Sequence, residues 1–159
     1  MTTSSSERPG WDETWMAFAE SIALRSKCCR AQVGCVIVSS DQEVIGAGYN
    51  GPSPNYPADG SCALWCPRGR GEGGTDNTYD NCPSVHAEAN CVVRCDYSRI
   101  HGATVYTTRS TCFQCAKLLS AAGVVRVVHR VLDSDAHRDP ESVEQFLSTC
   151  GIEVTRWTT

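Results

Sequence analysis

Hydrophobic and polar positions recur along the first third of the chain with two different periods. Between Trp11 and Lys27 the spacing is helical, which predicts an amphipathic helix capped by Asp12; its apolar face would carry Trp15, Phe18, Ala19, Ile22 and Ala23. The segment QVGCVIVSS that follows is apolar and rich in β-branched residues, which predicts a buried strand. After the turn SSDQE, the segment VIGAGYN is predicted to be its hairpin partner.

The second half of the chain alternates strand-like and helix-like segments. A helix is predicted to begin at His86, and Pro140 and Gly151 mark the start and end of another. The predicted strands are GATVYTTR, VVRVVHRV and IEVTRW, and the helices between them are CFQCAKLLSAAG and DPESVEQFLSTCG. The order α-β-β-α-β-α-β-α-β, with helical crossovers in its second half, predicts an α/β fold arranged as a three-layer α/β/α sandwich.

Two polar segments lie outside these elements. Residues 1–10 form a polar stretch that we expect to be a disordered N-terminal tail, ahead of a single domain at 11–159. Residues 50–83 are rich in Gly, Pro, Asn and Asp and show little periodicity. A loop of this length in a compact domain is usually functional, or is anchored by something.

Charge and hydropathy exclude several classes of partner. The net charge is −4, without a run of Lys or Arg, whereas proteins that grip a nucleic-acid backbone normally show a basic stripe. No apolar run reaches the roughly 20 residues that span a bilayer, and the N-terminus lacks the apolar core of a secretory signal. We therefore expect a cytoplasmic protein that acts on a small molecule, not on polymeric nucleic acid or a membrane.

The chain contains 11 cysteines, an odd number. Without an export signal, clustered cysteines are more often metal ligands or small buried apolar groups than disulfides. Four of them, including Cys91 and Cys95 at i,i+4 on a predicted helix, are predicted to be small buried apolar residues; they are Cys35, Cys91, Cys95 and Cys150.

The candidate chemistry lies in two short segments. SVHAEANCVV places His86 two residues before Glu88 at a predicted helix start, and TRSTCFQCAK places Cys112 and Cys115 in the first turn of another helix. Free N–H groups and the helix dipole favour thiolates there. Two thiolates and one imidazole leave the fourth tetrahedral position of a zinc ion open, as in a catalytic site, and zinc lowers the pKa of a bound water to about 7. Glu88, kept off the metal, would carry protons.

The pattern H-x-E followed by C-x-x-C is the signature of zinc-dependent deaminases. The signature usually has proline before the first cysteine, where this chain has Thr111, which we expect to act as an N-cap through its hydroxyl. Taken alone, the histidine would be a helix cap and the cysteine pair a redox couple or core residues. A non-catalytic zinc-binding module is the alternative from another class, but it has no need for Glu88.

Three blocks of sequence resemble the cytidine and deoxycytidylate deaminase superfamily, and specifically its deoxycytidylate (dCMP) deaminase branch. They are LRSKCCRAQVGCVIV, GYNGPSP, and HAEAN together with CFQCAKLLSAAGV. The resemblance extends from about Trp11 to Trp157, and GYNG and Asn90 narrow it to the branch. It implies a five-stranded mixed sheet, a homo-oligomer between dimer and hexamer, and hydrolysis of dCMP to dUMP and ammonia in pyrimidine nucleotide metabolism.

The resemblance also implies substrate contacts. Asn50 would contact the sugar, and the backbone N–H of Ala87 would meet the ring carbonyl. The branch often has an aromatic residue after its fourth strand, where this chain has Asp133 or its neighbour. Because a carboxylate repels a phosphate, a cytosine nucleoside, a free base or another amino-heterocycle stays open as the substrate.

Some members of the branch carry a second, structural zinc that ties the long loop to the first helix. The matching thiolates here would be Cys28, Cys62, Cys66 and Cys82, with Cys29 as a rival for Cys28. Such a site would explain how a loop rich in Gly and Pro stays ordered.

Overall fold

In a computed structural model, which describes residues 8–72 and 81–158, the chain is built around one five-stranded sheet. The strands are β1 (Gly34–Val38), β2 (Val44–Tyr49), β3 (Thr104–Thr107), β4 (Arg126–His129) and β5 (Glu153–Arg156). Residues 1–7, most of the predicted tail, and residues 73–80 of the long loop lie outside the described residues, so the tail prediction is untested.

The sheet is mixed, with strand order β2-β1-β3-β4-β5. β1 is antiparallel to both β2 and β3, whereas β3, β4 and β5 run parallel. This confirms the predicted five-stranded mixed sheet and its parallel second half. The carboxyl ends of β3 and β4 therefore open onto the same edge, where α/β proteins place their ligands.

Helices cover both faces of the sheet, which confirms the three-layer prediction. The helices are α1 (Trp11–Ala23), α2 (Cys62–Trp65), α3 (Ala87–Arg94), α4 (Phe113–Ala121) and α5 (Pro140–Thr149). One core cluster joins α1 to the sheet through Met16, Val36 and Tyr106. A larger cluster joins the opposite face to α3, α4 and α5 through residues such as Cys91, Leu119 and Leu147.

Several local predictions differ from the structure. Helix α1 ends at Ala23 instead of Lys27, and its N-cap is Gly10, not Asp12. Asp12 instead uses its carboxylate to accept hydrogen bonds from Arg126 and the Tyr106 hydroxyl. Short-range capping rules could not anticipate this long-range partnership.

Further differences concern short elements and one cysteine. Helix α2 lies inside the segment predicted to be irregular, and a 3-10 helix at Asp133–Arg138 follows β4. Cys35 and Cys91 are buried as predicted, but Cys150 is exposed, so that prediction was wrong. No helix in the described ranges is long and apolar enough to cross a membrane.

Glycine at one position lets α3 approach the sheet closely. A Cβ atom added at Gly48 of β2 would lie 2.6 Å from the Cys91 backbone nitrogen and 2.8 Å from the Ala87 carbonyl oxygen. Any larger residue would push α3 away from β2. The absence of a side chain at Gly48 therefore sets the depth of the helix that carries His86 and Glu88 at its start.

Candidate active site

The starts of α3 and α4 bring three metal-binding side chains together. His86 is the N-cap of α3, Cys112 is the N-cap of α4, and Cys115 lies in the first turn of α4. The Sγ atoms of Cys112 and Cys115 lie 3.3 and 3.5 Å from Nδ1 of His86. The three ligand atoms all lie within 4.8 Å of one another.

The chemistry of this donor set fits zinc. Two sulfurs and one imidazole nitrogen are the ligands that zinc prefers, and three of them leave one tetrahedral position for water or substrate. The hydrogen bond with Cys115, helped by His86 and opposed by burial, lowers the pKa of the Cys112 thiol to about 3. The site thus favours a thiolate before any cation is present, which suits metal binding.

Glu88 lies beside this cluster without belonging to it. Its side chain is 2% exposed, and its Oε1 atom has no hydrogen-bond partner in the part of the chain that the structure describes. Burial raises the pKa of this carboxyl, against the opposing effect of His86. A buried carboxyl with a raised pKa beside a metal site suits a group that accepts and returns protons.

The loop before Cys112 differs from our expectation for Thr111. Cys112, not Thr111, is the N-cap of α4, because its sulfur accepts the Cys115 N–H at 3.5 Å. The buried Thr111 hydroxyl has no partner within the described ranges. The backbone N–H of Thr111, which a proline would lack, instead donates to Nδ1 of His129 at 3.4 Å.

A cavity of about 230 Å³ opens above the cluster and is lined by His86, Ala87, Glu88 and Asn50. The N–H of Ala87 is in the first turn of α3, where helix N–H groups have no intrahelical partner. The amide of Asn50 accepts from the Val33 N–H and donates to the Ala31 carbonyl. Within residues 8–72 and 81–158, one N–H and one lone pair of that amide have no other protein partner, which is enough for a ligand contact.

Four arginines line the same cavity, a feature that our sequence analysis missed. They are Arg30, Arg68, Arg109 and Arg138, whereas Glu88 is the only carboxylate among the described lining residues. A signal for one of them was present, because Arg109 is the last residue of the predicted strand GATVYTTR, three residues before Cys112. Side chains at the carboxyl ends of parallel strands commonly face the ligand.

The carboxylate that we expected to repel a phosphate is placed differently. Asp133 is exposed and, among the described residues, is not part of the cavity lining. Asp135, two residues on, is fully buried and forms an ion pair with Arg109. This carboxylate is thus paired with Arg109 and, among the described residues, is not part of the cavity lining.

The cysteines predicted for a second zinc lie near one another around the long loop. Cys66 and Cys82 have their sulfurs 3.8 Å apart, and Cys28, Cys62, Cys66 and Cys82 all line the cavity. Cys62 is joined to Cys29 in a disulfide, which departs from the expectation of reduced cysteines and would have to be reduced before either sulfur could bind zinc as a thiolate. Across the described ranges, only the His86 cluster brings three candidate ligand atoms within 4.8 Å, so the second site stays a prediction.

Comparison with known proteins agrees with this geometry. A family model for the cytidine and deoxycytidylate deaminase zinc-binding region matches residues 9–131. The deoxycytidylate deaminase of Mycobacterium phage D29 is 41% identical over 128 residues, which are 77% of this chain and 95% of the relative. The human deoxycytidylate deaminase is 36% identical over 132 residues, covering 82% of this chain and 68% of the human protein.

Solved structures show the same architecture. The dCMP deaminase of cyanophage S-TIM5, crystallised in complex with dCMP and dUMP, superposes with a TM-score of 0.72 at 26% identity. The match covers 95% of this chain and 99% of the cyanophage chain. The similarity therefore includes both the sheet and the helices that carry the cluster.

Proposed function

Because the chain belongs to the cytidine and deoxycytidylate deaminase zinc-binding family, we propose that it hydrolyses a cytosine mononucleotide, dCMP first, to dUMP and ammonia. The observation that carries this proposal is the arrangement of Glu88, free of the ligand cluster, beside His86, Cys112 and Cys115 in a cavity lined by arginines. A closed structural zinc site would have four protein ligands and no use for such a carboxyl. The arrangement thus disfavours a non-catalytic module.

The metal and the carboxyl have separate tasks. Zinc held by His86, Cys112 and Cys115 would lower the pKa of a water molecule to about 7 and so make it a nucleophile at neutral pH. Glu88 would take one proton from the attacking water and deliver it to ring nitrogen N3, as C4 gains its new C–O bond. Glu88 would then take the remaining proton from the new C4 hydroxyl and pass it to the amine, so that the C4–N bond breaks, ammonia leaves and C4 becomes a carbonyl carbon. One buried carboxyl serves both transfers.

Binding contacts follow from the cavity wall. The N–H of Ala87 would donate to the ring carbonyl, because it lies at the positive end of α3, where helix N–H groups have no intrahelical partner. Asn50 would use its remaining amide hydrogen or lone pair at the sugar. Both contacts are proposals supported by the placement of these residues in the cavity lining.

The charge of the cavity favours a nucleotide over a nucleoside or a free base. Among the lining residues that the structure describes there are four arginines and one carboxylate, in a chain whose net charge is −4. Such local concentration of positive charge focuses anionic ligands. The cyanophage relative was crystallised with dCMP and dUMP, which supports the same choice.

Compartment and assembly complete the proposal. The thiolates of Cys112 and Cys115 need a reducing environment, which the cytoplasm provides. The family resemblance favours a homo-oligomer, which light scattering of the purified protein would measure.

Ammonia release from a panel of substrates tests the function. The panel comprises dCMP, CMP, deoxycytidine, cytosine, and adenine and guanine compounds, assayed with zinc-replete protein. We expect dCMP to have the highest kcat/KM. Faster turnover of deoxycytidine or cytosine would contradict the nucleotide preference, and no release from any compound would contradict the activity.

A further inference from the structure

Arg109 and Asp135 form a buried ion pair at the carboxyl ends of two neighbouring parallel strands. Arg109 follows β3, and Asp135 lies in the 3-10 helix that follows β4. Nε and Nη2 of Arg109 both donate to Oδ1 of Asp135, Nε at 3.0 Å, and Nη2 also donates to Ser134 Oγ at 3.0 Å. Two donors of the guanidinium are thus committed to one side.

Asp135 is ionised although it is completely buried. Burial opposes ionisation, but the hydrogen bonds from Arg109 and from the Leu132 backbone N–H outweigh it, so the pKa of Asp135 lies below its ordinary value. A second guanidinium, that of Arg138, lies 3.9 Å from the same carboxylate. These three side chains together carry one negative charge and two positive charges.

The cavity side of this group offers a donor to a ligand. Arg109 and Arg138 both line the cavity together with Glu88. No hydrogen bond forms at Nη1 of Arg109 among residues 8–72 and 81–158, while Nε and Nη2 are held by Asp135 and Ser134. A guanidinium fixed in this way loses little freedom when it meets an anion, and such charge-assisted hydrogen bonds are short and strong.

We propose that Arg109 contacts the phosphate of the nucleotide and that Asp135 is the positioning residue that holds Arg109 against the cavity wall. This inference rests on the proposed function and adds the residues that select a nucleotide over a nucleoside. Asp135 does not touch the ligand. It acts by fixing the direction of Arg109 and by holding Arg138 nearby, so its loss affects phosphate-bearing ligands selectively.

Equilibrium binding of the product pair dUMP and deoxyuridine tests the proposal, because the two differ only in the phosphate and neither is turned over. Calorimetry is run on zinc-replete wild type, Arg109→Gln, Asp135→Asn and Arg99→Gln. Arg99 is the matched control, since it also pairs with carboxylates, those of Asp41 and Glu43, but does so at the opposite end of the sheet.

We expect Arg109→Gln to weaken dUMP binding roughly tenfold to hundredfold, the range of a lost hydrogen bond to a charged group. Deoxyuridine binding should change less than about twofold. Asp135→Asn should also weaken binding of dUMP more than binding of deoxyuridine, and it should raise KM for dCMP more than it lowers kcat. Arg99→Gln should leave the affinities for dUMP and deoxyuridine unchanged.

Equal weakening of dUMP and deoxyuridine, or no change in either variant, would overturn the proposal. If Asp135→Asn does not fold, Arg109→Lys replaces it in the comparison, because lysine keeps the charge but not the two-pronged contact with Asp135. That variant should show intermediate dUMP affinity. Wild type that binds dUMP but deaminates nothing would instead contradict the proposed function and leave this assignment standing.

Discussion

The backbone N–H of Thr111 donates to Nδ1 of His129 at 3.4 Å, and Nε2 of the same imidazole lies 2.9 Å from a Glu144 carboxylate oxygen. This geometry requires the neutral imidazole with its hydrogen on Nε2, because Nδ1 is the acceptor. The loop that carries Cys112 is thereby tied to α5 through a fully buried histidine. A proline at Thr111 would remove the donor.

This contact predicts how stability depends on pH. Burial lowers the pKa of His129 in the folded protein, against the opposing hydrogen bond with Glu144. The unfolded chain therefore binds more protons than the folded one below the ordinary histidine pKa of about 6.5, and stability falls as pH decreases through that range. We expect the urea-unfolding free energy to fall from pH 7.5 to pH 5.5 by more in wild type than in His129→Asn.

Asparagine is the suitable replacement because its side-chain oxygen can still accept the hydrogen bond from the Thr111 N–H. The substitution also removes the titratable imidazole. Comparing slopes between the two proteins cancels the loss of zinc at low pH, which both share. If the unfolding free energy fell equally with pH in the two proteins, His129 would not contribute to the acid sensitivity of the fold.

A second prediction concerns the spacing between β2 and α3. Gly48→Ala would place a methyl group 2.6 Å from the Cys91 backbone nitrogen, so α3 must shift. We expect stability to fall by about 1–3 kcal/mol, the usual cost of overpacking, and zinc affinity to fall because His86 begins that helix. Chemical unfolding and zinc titration measure the two effects.

Gly10→Ala is the matched control for this variant. Gly10 has a φ of −65°, and an added Cβ there meets nothing within 4 Å. It should leave zinc affinity unchanged. A Gly48→Ala protein as stable as the control would show that the contact between β2 and α3 can relax without cost.

A third prediction concerns zinc content. Protein prepared with a reductant should hold two zinc ions per chain, one at His86, Cys112 and Cys115 and one at the loop cysteines. Cys112→Ser/Cys115→Ser should lose one ion, and Cys66→Ser/Cys82→Ser the other. One zinc in wild type, together with an intact Cys29–Cys62 disulfide detected by mass spectrometry, would contradict the second site.

The sequence predicted the strands, the long helices and the grouping of His86, Cys112 and Cys115 because each has a local cause. The periodicity of hydrophobic positions predicts the buried face of each element. The spacing of His86, Cys112 and Cys115 predicts metal ligands at the starts of two helices. The arginine wall and the Arg109–Asp135 pair could not be predicted this way. These residues are 26 positions apart, and only the parallel pairing of β3 and β4 brings them together.

The same reason explains the errors at helix ends. Asp12 had the right type and place for an N-cap, but the partners that decide its role are Arg126, on β4, and Tyr106, on β3. Thr111 likewise had the hydroxyl of a cap, while its backbone found His129 instead. For both residues, contacts with residues distant in sequence decide the hydrogen-bond partners, and the local capping preference does not.

The central claim is that Glu88 moves protons and does not bind the metal, and turnover by Glu88→Gln tests it most directly. The amide is nearly isosteric with the carboxyl, so the variant should fold, hold as much zinc as wild type and bind dCMP. Its kcat for ammonia release should fall by at least about 10²–10⁴-fold, the usual effect of losing a positioned proton-transfer group. Near-wild-type turnover by the zinc-replete variant would contradict the account, as would loss of the zinc itself, because Glu88 would then be a ligand.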